Sequence, residues 1–505
     1  QEVFPQSGDN FLQLRIRAKD GARVEKTEQE VLRVLSLIEE EAGKDNITIS
    51  TAFIGTPPSA NPVNMIHIFT SGQHEALLKV ELDRAAPLQG EPLRERLRAR
   101  FAKDLSGANV RFEPGDIVGQ VMSFGAPTPI EVAVQGPNIP NNRAHAEKLH
   151  AELAKLQILR DVQFEQALDY PAIDVEIDRL RAAQYGLTME SVARSMVAAT
   201  SSSRFIQPNY WRDPGSGNAF QIQVEIPYQR MDSLDELKRL PVMHNGAARP
   251  LLSDVAELKP ATAPGIVERN NMQRVVSITA NLDGVALGEA ARQISAAIER
   301  AGEAPRGSKV VLRGQIPPFE ETTSSLTFGV VLSLITIFLL LSAYFQSPRL
   351  GLAILSTTPG VLAGVTLMLL TTGTTLNVQS FLGTIMATGI AAANAILLCS
   401  FAEYERRAGV DPLEAARRGS KGRLRPILMT ATAMILGMVP IALGLGEGGA
   451  QTAPLGRAVI GGLIGATVAT LTVLPAVYAI LMRGARVHSA SLDPEDPESL
   501  YHEAV

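Results

Sequence analysis

The sequence predicts an α+β soluble region over its first 320 residues, followed by an all-α membrane bundle of five helices. Two patterns carry this reading. Five long apolar stretches fill the last third of the chain: Leu326 to Phe345, Leu350 to Leu370, Val378 to Ala402, Pro426 to Leu445 and Gly456 to Met482. Each reaches the roughly 20 residues that a helix rising about 1.5 Å per residue needs to cross hydrocarbon, and none alternates like a barrel strand. Ahead of them, segments of period two take turns with segments of helical period.

Leu12, Leu14 and Ile16 alternate with Gln13, Arg15 and Arg17, as in a half-buried strand. Val31, Leu35 and Ile38 then recur at helical spacing and read as a core face, not a binding stripe. Strands are expected at Ile47 to Ile54 and Met65 to Thr70, then a helix with Leu93, Leu97 and Phe101 on one face, then a strand at Asn109 to Phe112. The order β-α-β-β-α-β is a ferredoxin-like split. A second round has a strand at Ile130 to Val134, a helix around Arg143 to Leu156 and a strand near Val162 to Gln166. It resumes with Val275 to Ala280, a helix from Leu287 to Ala301 and a strand at Lys309 to Arg313. The expected domains are 1-118 as the first repeat, 119-177 with 261-320 as the second, 178-260 as an insertion, 321-485 as the transmembrane domain and 486-505 as a tail.

In the insertion, a helix at Thr188 to Ala199 precedes a polar loop that holds Tyr210, Trp211 and Arg212. Trp211, the only tryptophan, either makes contacts outward or packs the insertion's small core. Asp232 or Ser233 can cap a short helix through Leu237, with Glu236 placed for a capping box on Ser233.

Loop charges orient the bundle. Arg406, Arg407, Arg417, Arg418, Lys421, Arg423 and Arg425 lie between the third and fourth stretches, the basic excess of a cytoplasmic loop. Arg349 between the first two stretches agrees with this, as do Arg483 and Arg486 after the last. Five crossings that end inside start outside, so the soluble region is exported. Gln1-Glu2-Val3-Phe4-Pro5 has neither a basic start nor an apolar run, so the chain is expected to be part of a longer polypeptide with at least one preceding helix.

A net charge of -5 gives no support to nucleic-acid binding. Cys399, the only cysteine, lies within the third stretch and rules out a disulfide framework. His145 and His150 are five apart, which is not a metal spacing on one helical face. No nucleophile with a base, phosphate loop or metal site points to an enzyme.

Three motifs on consecutive helices carry a family resemblance: Asn394-Ala395-Ile396-Leu397 in the third stretch, Arg423-Leu424-Arg425-Pro426-Ile427-Leu428-Met429-Thr430 entering the fourth, and Ala453-Pro454-Leu455-Gly456-Arg457-Ala458 before the fifth. The chain resembles the carboxy-terminal half of resistance-nodulation-division transporters, in the drug and hydrophobe exporter branch. The resemblance implies a trimeric proton-driven antiporter in the bacterial inner membrane, multi-pass, with residues 1-320 in the periplasm and the C-terminus in the cytoplasm. It also implies an amino-terminal half of the same polypeptide, a periplasmic adaptor protein, an outer-membrane channel, small amphiphilic substrates, and a proton gradient in place of any cofactor. The insertion 178-260 becomes a docking element, with Tyr210, Trp211 and Arg212 as its candidate contacts.

By the same resemblance Asn394, Arg423 and Thr430 match positions of a proton relay whose acids lie in the missing half. The relay lysine position is Ala393, which can neither favour ionised acids nor reorient when they protonate. Arg423 has an alternative place in the positive-inside cluster, and Thr430 can bond back within its own helix. Within the five stretches there is no Asp, Lys or His, and Glu403 is expected at the cytoplasmic edge, not buried. Gly389, Ala391, Ala392, Ala393, Gly461, Gly462 and Gly465 are expected to allow close helix packing.

The loop Gly55-Thr56-Pro57-Pro58-Ser59 matches a segment that the resemblance sets between two substrate pockets; its prolines stiffen it, and an ordinary hairpin connection is the alternative. Besides the amphiphile exporter, two readings stay open. One is a metal-ion exporter of the same superfamily, for which Met429, Met434 and Met438 are the only hint. The other is a membrane subunit or fragment that transports nothing.

Overall fold

The structure, a computed structural model, describes residues 10–56, 69–115, 117–227, 230–231, 233–242, 249–445 and 449–485. Contacts divide the chain into two compact units, one of residues 166–266 with 19–22 and the other of the remainder.

Alternation in β1 (Phe11–Ala18) puts Leu12, Leu14 and Ile16 at 0% exposure. Helix α1 (Val24–Ala42) covers them with Val31, Val34 and Ile38, while Leu35 is only partly buried, so the core face is turned slightly from the expected one. Next come β2 (Ile47–Ile54), β3 (Glu75–Leu82), α2 (Gly90–Asp104) and β4 (Ala108–Glu113), in an antiparallel sheet of order β2-β3-β1-β4. Leu93, Leu97 and Phe101 of α2 complete the core.

The strand expected at Met65 to Thr70 is not the one that pairs. Phe69 and Thr70 lie outside any strand, Met65 to Ile68 lie outside the described residues, and Glu75–Leu82 takes the place in the sheet. Ala76, Leu78, Val80 and Leu82 of β3 alternate with Glu75, Lys79 and Glu81, the period of a strand, although both of its faces are largely covered.

The second sheet starts with β5 (Ile130–Gly136), helix α3 (Ile139–Leu153) and β6 (Leu159–Phe164). The chain then enters the other unit, where β7 (Tyr170–Ile177), α4 (Met189–Thr200), β8 (Asn209–Arg212), β9 (Ala219–Ile222) and β10 (Ala256–Ala263) form. There β7 pairs with β10, and Val192, Leu237, Leu252 and Val255 make a small core. Thr188 and Ser191 form a reciprocal capping box at α4. The Ser233 hydroxyl accepts from the Glu236 N–H at 3.3 Å, capping the helix Leu234–Lys238; Asp232 lies outside the described residues.

Residues Asn209 to Arg212 are a strand and not the expected loop. Trp211 sits opposite Phe220 across the β8–β9 hairpin with ring centroids 6.0 Å apart, and such aromatic cross-strand pairs stabilise hairpins. Trp211 stays 50% exposed and is not part of the unit's core, which rules out its packing role.

Returning to the first unit, β11 (Arg269–Asn270), β12 (Gln273–Leu282), α5 (Leu287–Ala301) and β13 (Lys309–Gly314) complete a sheet of order β11-β12-β5-β13, with β6 also on β12. Gly314 has φ +81°, and a Cβ there would lie 2.4 Å from the Pro129 carbonyl oxygen. Only glycine makes this turn into the first long helix.

Helices α6 (Ile316–Tyr344), α7 (Pro348–Leu355), α8 (Thr358–Thr371), α9 (Val378–Arg407), α10 (Pro412–Ala442) and α11 (Gly449–Leu481) follow. They provide five helices long and apolar enough to cross a membrane, α7 and α8 counting as one span. That span is divided at Ser356 and Thr357 because Pro359 has no N–H for the Leu355 carbonyl. The Ser356 and Thr357 hydroxyls donate to the carbonyls of Ala353 and Ile354 at 2.6 and 2.9 Å.

The basic segment expected as a loop is helical. Arg406 and Arg407 end α9, and Arg417 to Arg425 lie in α10, which begins at Pro412 with the Asp411 carboxylate accepting from the Leu413 N–H. Arg and Lys are good helix formers, so charge here marks the end of hydrocarbon and not the end of the helix.

Glycines set the closest helix contact. Cβ atoms at Gly364 and Gly465 would lie 2.2 Å from the carbonyl oxygens of Gly461 and Gly360, while Gly389 has nothing within 4 Å. Gly461, Gly462 and Gly465 therefore have the expected packing role and Gly389 does not. We expect Gly364→Leu to lower the thermal midpoint of the detergent-purified protein by overpacking of about 1–3 kcal/mol or more, and Gly389→Ala to leave it unchanged.

Candidate functional site

The polar side of β1 does not face solvent. Its Arg15 Nε donates to Glu113 of β4 at 2.6 Å and its Nη1 to the Phe69 carbonyl at 2.6 Å, while Arg17 Nε donates to Glu75 of β3 at 2.8 Å. Arg17 also donates to the carbonyls of Phe164 and Glu165, which ties the first sheet to the end of β6.

Arg111 of β4 is the most enclosed charge, its side chain 1% exposed. Its Nη2 donates to Glu113 and to Glu165, each at 3.0 Å, and its Nη1 to the Thr279 hydroxyl at 3.3 Å. Further along the junction Asp161 holds a left-handed backbone at φ +54°, which Asp tolerates better than most residues. Its carboxylate accepts from Arg98 at 3.1 Å and from Asn281 at 2.8 Å, and Asn281 donates as well to the Phe112 carbonyl.

Beside this network opens a cleft of about 400 Å³, lined by Glu113, Glu131, Glu165 and Glu268, by Arg15, Arg269 and Arg313, and by Phe69 and Val275 among others. At its floor Glu131 Oε1 accepts from the Ser277 hydroxyl at 2.6 Å and from Arg313 at 2.7 Å. Burial pushes the Glu131 carboxyl above its ordinary range, only partly offset by Ser277 and Arg313. Glu113 goes the other way: burial raises it, but the charges of Arg15 and Arg111 and the hydrogen bonds of Arg15 and Gln13 prevail and hold it at about 2. Two carboxyls lining one cleft thus differ in their hold on a proton.

Glu91, Glu95 and Asp283 also converge, with oxygens within 4.8 Å of one another. Arg98 bonds to Glu91 and Glu95, and Arg160 to Glu95 and Asp283, so the cluster is an ion-pair lattice and not a free donor set.

The residues singled out from sequence are scattered. Asn394 is buried on the inner face of α9, whereas Ala393 is exposed. The Thr430 hydroxyl bonds back to the carbonyls of Pro426 and Ile427 at 3.1 and 3.0 Å, and the Arg423 guanidinium lies 5.9 Å from the centre of the Phe401 ring. No hydrogen bond joins Asn394, Arg423 and Thr430. Gly55 and Thr56 end the described part of their loop, and Pro57, Pro58 and Ser59 lie outside the described residues. Tyr210, Trp211 and Arg212 are exposed on the β8–β9 hairpin.

One expectation about the bundle is overturned. Glu403 is buried at 7% exposure, accepting from Arg406 at 2.6 and 2.9 Å and from the Tyr478 hydroxyl of α11 at 2.9 Å. Arg406 in turn donates to the Ala485 carbonyl at 3.2 Å. α9 continues past the apolar stretch, which carries its carboxylate under α11 instead of out to solvent.

Two outcomes follow. Arg111→Met leaves half-buried Glu165 without its arginine and buried Glu113 with Arg15 alone, and is expected to cost about 3 kcal/mol in a thermal or denaturant melt, with part of the loss recovered in the double variant with Glu165→Gln. Glu113 is held below its unfolded value, so its contribution is present above pH ~4.5 and lost as pH falls toward ~2, on the order of 3 kcal/mol. Melts of the wild type and Glu113→Gln across that window should converge at the acid end.

Comparison with known proteins gives one family. A family model described as AcrB/AcrD/AcrF matches residues 1–482. The cobalt-zinc-cadmium resistance protein CzcA of Cupriavidus metallidurans is 31% identical over 395 residues, 74% of this chain and 36% of that protein. The nickel and cobalt resistance protein CnrA of the same organism is 30% identical over 398 residues, 78% of this chain and 36% of that protein. The multidrug resistance protein MdtC of Escherichia coli is 26% identical over 482 residues, 95% of this chain and 45% of that protein. A crystal structure of a heavy metal efflux pump superposes with a TM-score of 0.82 at 23% identity over 95% of this chain and 48% of that one. The chain spans less than half the length of each of these relatives. It belongs to the AcrB/AcrD/AcrF family, and so to the resistance-nodulation-division superfamily of transporters.

Proposed function

We propose that the chain is part of an inner-membrane exporter of divalent heavy-metal cations. The observation that carries the reading is the cleft, whose described lining sets four carboxylates against three arginines and has, as large apolar side chains, only Phe69 and Val275. Such a surface suits a small hydrophilic cation better than an amphiphile, which wants apolar and aromatic walls. The relatives matching at 30% and 31% identity bear names of metal resistance, and the multidrug relative matches at 26%. The hydrophobe-exporter reading is thus the less supported one.

Oxygen ligands suit borderline and hard divalent cations. Met429 is 72% and Met434 36% exposed on α10, and nothing about them favours a soft thioether route. In our reading a cation entering the cleft competes with Arg15, Arg111 and Arg313 for Glu113, Glu131 and Glu165. Carboxylates already shared with arginine bind weakly enough to let cargo leave, which transport requires. Glu131, raised by burial, is the one poised to exchange a proton for a cation.

The same reading takes the two sheets as duplicated ferredoxin-like units on the periplasmic side and residues 166–266 as a docking element. A homotrimer, the amino-terminal half, a periplasmic adaptor and an outer-membrane channel complete the machine, powered by a proton gradient. Asn394, buried in α9, is the position facing that half's proton-binding acids.

The test is cargo accumulation in a metal-sensitive host expressing the intact protein. Cells should retain less cobalt or zinc and unchanged ethidium, and Ser277→Ala, which removes a bond to Glu131 but leaves the carboxylate, should weaken metal export by about tenfold. Ethidium export without metal export would sink the proposal.

A further inference from the structure

The basic residues joining α9 to α10 divide into two kinds. Arg406 and Arg407 face Glu403 at 2.6 and 3.5 Å, Arg418 faces Glu405 at 3.0 Å and Glu414 at 3.6 Å, and Arg423 lies over Phe401. Arg417, Lys421 and Arg425 have no acidic partner among the described residues, and all are exposed. They are four residues apart in succession, so they form one stripe along α10 in which each neighbour repels the next. The positive-inside tendency needs a number of cations beside the membrane, not their alignment on one face without counter-charge.

The stripe is placed for a lipid. Arg425 directly precedes Pro426, where the apolar run begins. At about 1.5 Å per residue, Lys421 lies about 6 Å and Arg417 about 12 Å further out, so the first two fall within a headgroup layer about 5–8 Å deep and the third is within side-chain reach of it. Leu424 and Leu428 are 43% and 44% exposed. Each sits three residues after a cation of the stripe, hence beside it on the helix surface. Cationic and apolar positions side by side match a phosphate headgroup with its acyl chain, and not free phosphate.

We propose that this face of α10 binds an anionic phospholipid, with its phosphate on Arg417, Lys421 and Arg425 and an acyl chain along Leu424 and Leu428. The surface is independent of the cargo assigned above. Bound lipid offsets part of the stripe's charge and holds the start of α10 at the membrane surface.

The experiment uses the intact protein in phosphatidylcholine nanodiscs containing spin-labelled phosphatidylglycerol or spin-labelled phosphatidylcholine, and reads the motionally restricted fraction of each. The wild type should prefer phosphatidylglycerol, and each of Arg417→Gln, Lys421→Gln and Arg425→Gln should lower that preference about fivefold. Arg418→Gln removes the same charge from a residue already paired and should change it by less than about twofold. The Arg417→Lys and Arg425→Lys pair, which keeps the charge, should retain the preference and controls for folding. Equal loss in Arg418→Gln, no preference in the wild type, or release of phosphatidylglycerol by excess inorganic phosphate would overturn the proposal.

Discussion

The α+β region depends on one buried cation. Arg111 is cut off from water and can remain charged only because Glu113, from its own strand, and Glu165, just past β6, meet it from two sides. That requirement fixes where the two sheets meet. Arg17 fastens the same edge through backbone carbonyls, and Asp161 with Asn281 fastens the far end. The cleft is the part of the junction left open once these pairs are satisfied. Its lining is charged because the pairing groups themselves form its wall.

The bundle is governed by the opposite economy. Along the seam between α8 and α11 glycine carbonyls lie against bare backbone, with Val361 and Val365 of α8 packed beside it on Ala458 and Ala466 of α11. Dispersion between backbones takes over the role that pairing plays in the soluble part. A buried exception is Glu403, bonded to Arg406 and to Tyr478 within an apolar cluster that includes Cys399 and Ala402. That arrangement fixes α9 against α11 where the hydrocarbon ends.

The architecture was legible wherever one chemical period dominated. Leu12, Leu14 and Ile16 announced a strand, the apolar runs announced the spans, and Leu287 to Ala301 is the observed extent of α5. Reading failed where two faces of an element are both occupied. β3 passed unnoticed because its polar positions Glu75, Lys79 and Glu81 are themselves covered or half-covered and its alternation was not read, while Arg15 and Arg17 looked like the solvent side of β1 although they carry the ion-pair network. The cleft was invisible for a related reason. Glu113, Glu131, Glu165 and Arg313 are far apart in sequence, and only strand pairing collects them; isolated charges inside otherwise apolar strands were the available signal. Glu403 was misplaced because hydropathy marks where lipid ends, while helix α9 runs on.

The division of the second span at Ser356 and Thr357 has a mechanical meaning. Leu350, Ala353 and Ile354 of α7 belong to one buried cluster of the bundle, and Val361, Val365 and Leu369 of α8 to another. The proline joint falls between them, so the bundle is built in two storeys with the joint at the floor between. With no Pro359 N–H for the Leu355 carbonyl, the floor has one backbone bond fewer than the helix on either side, so each half of the span is held to its own cluster more firmly than to the other half.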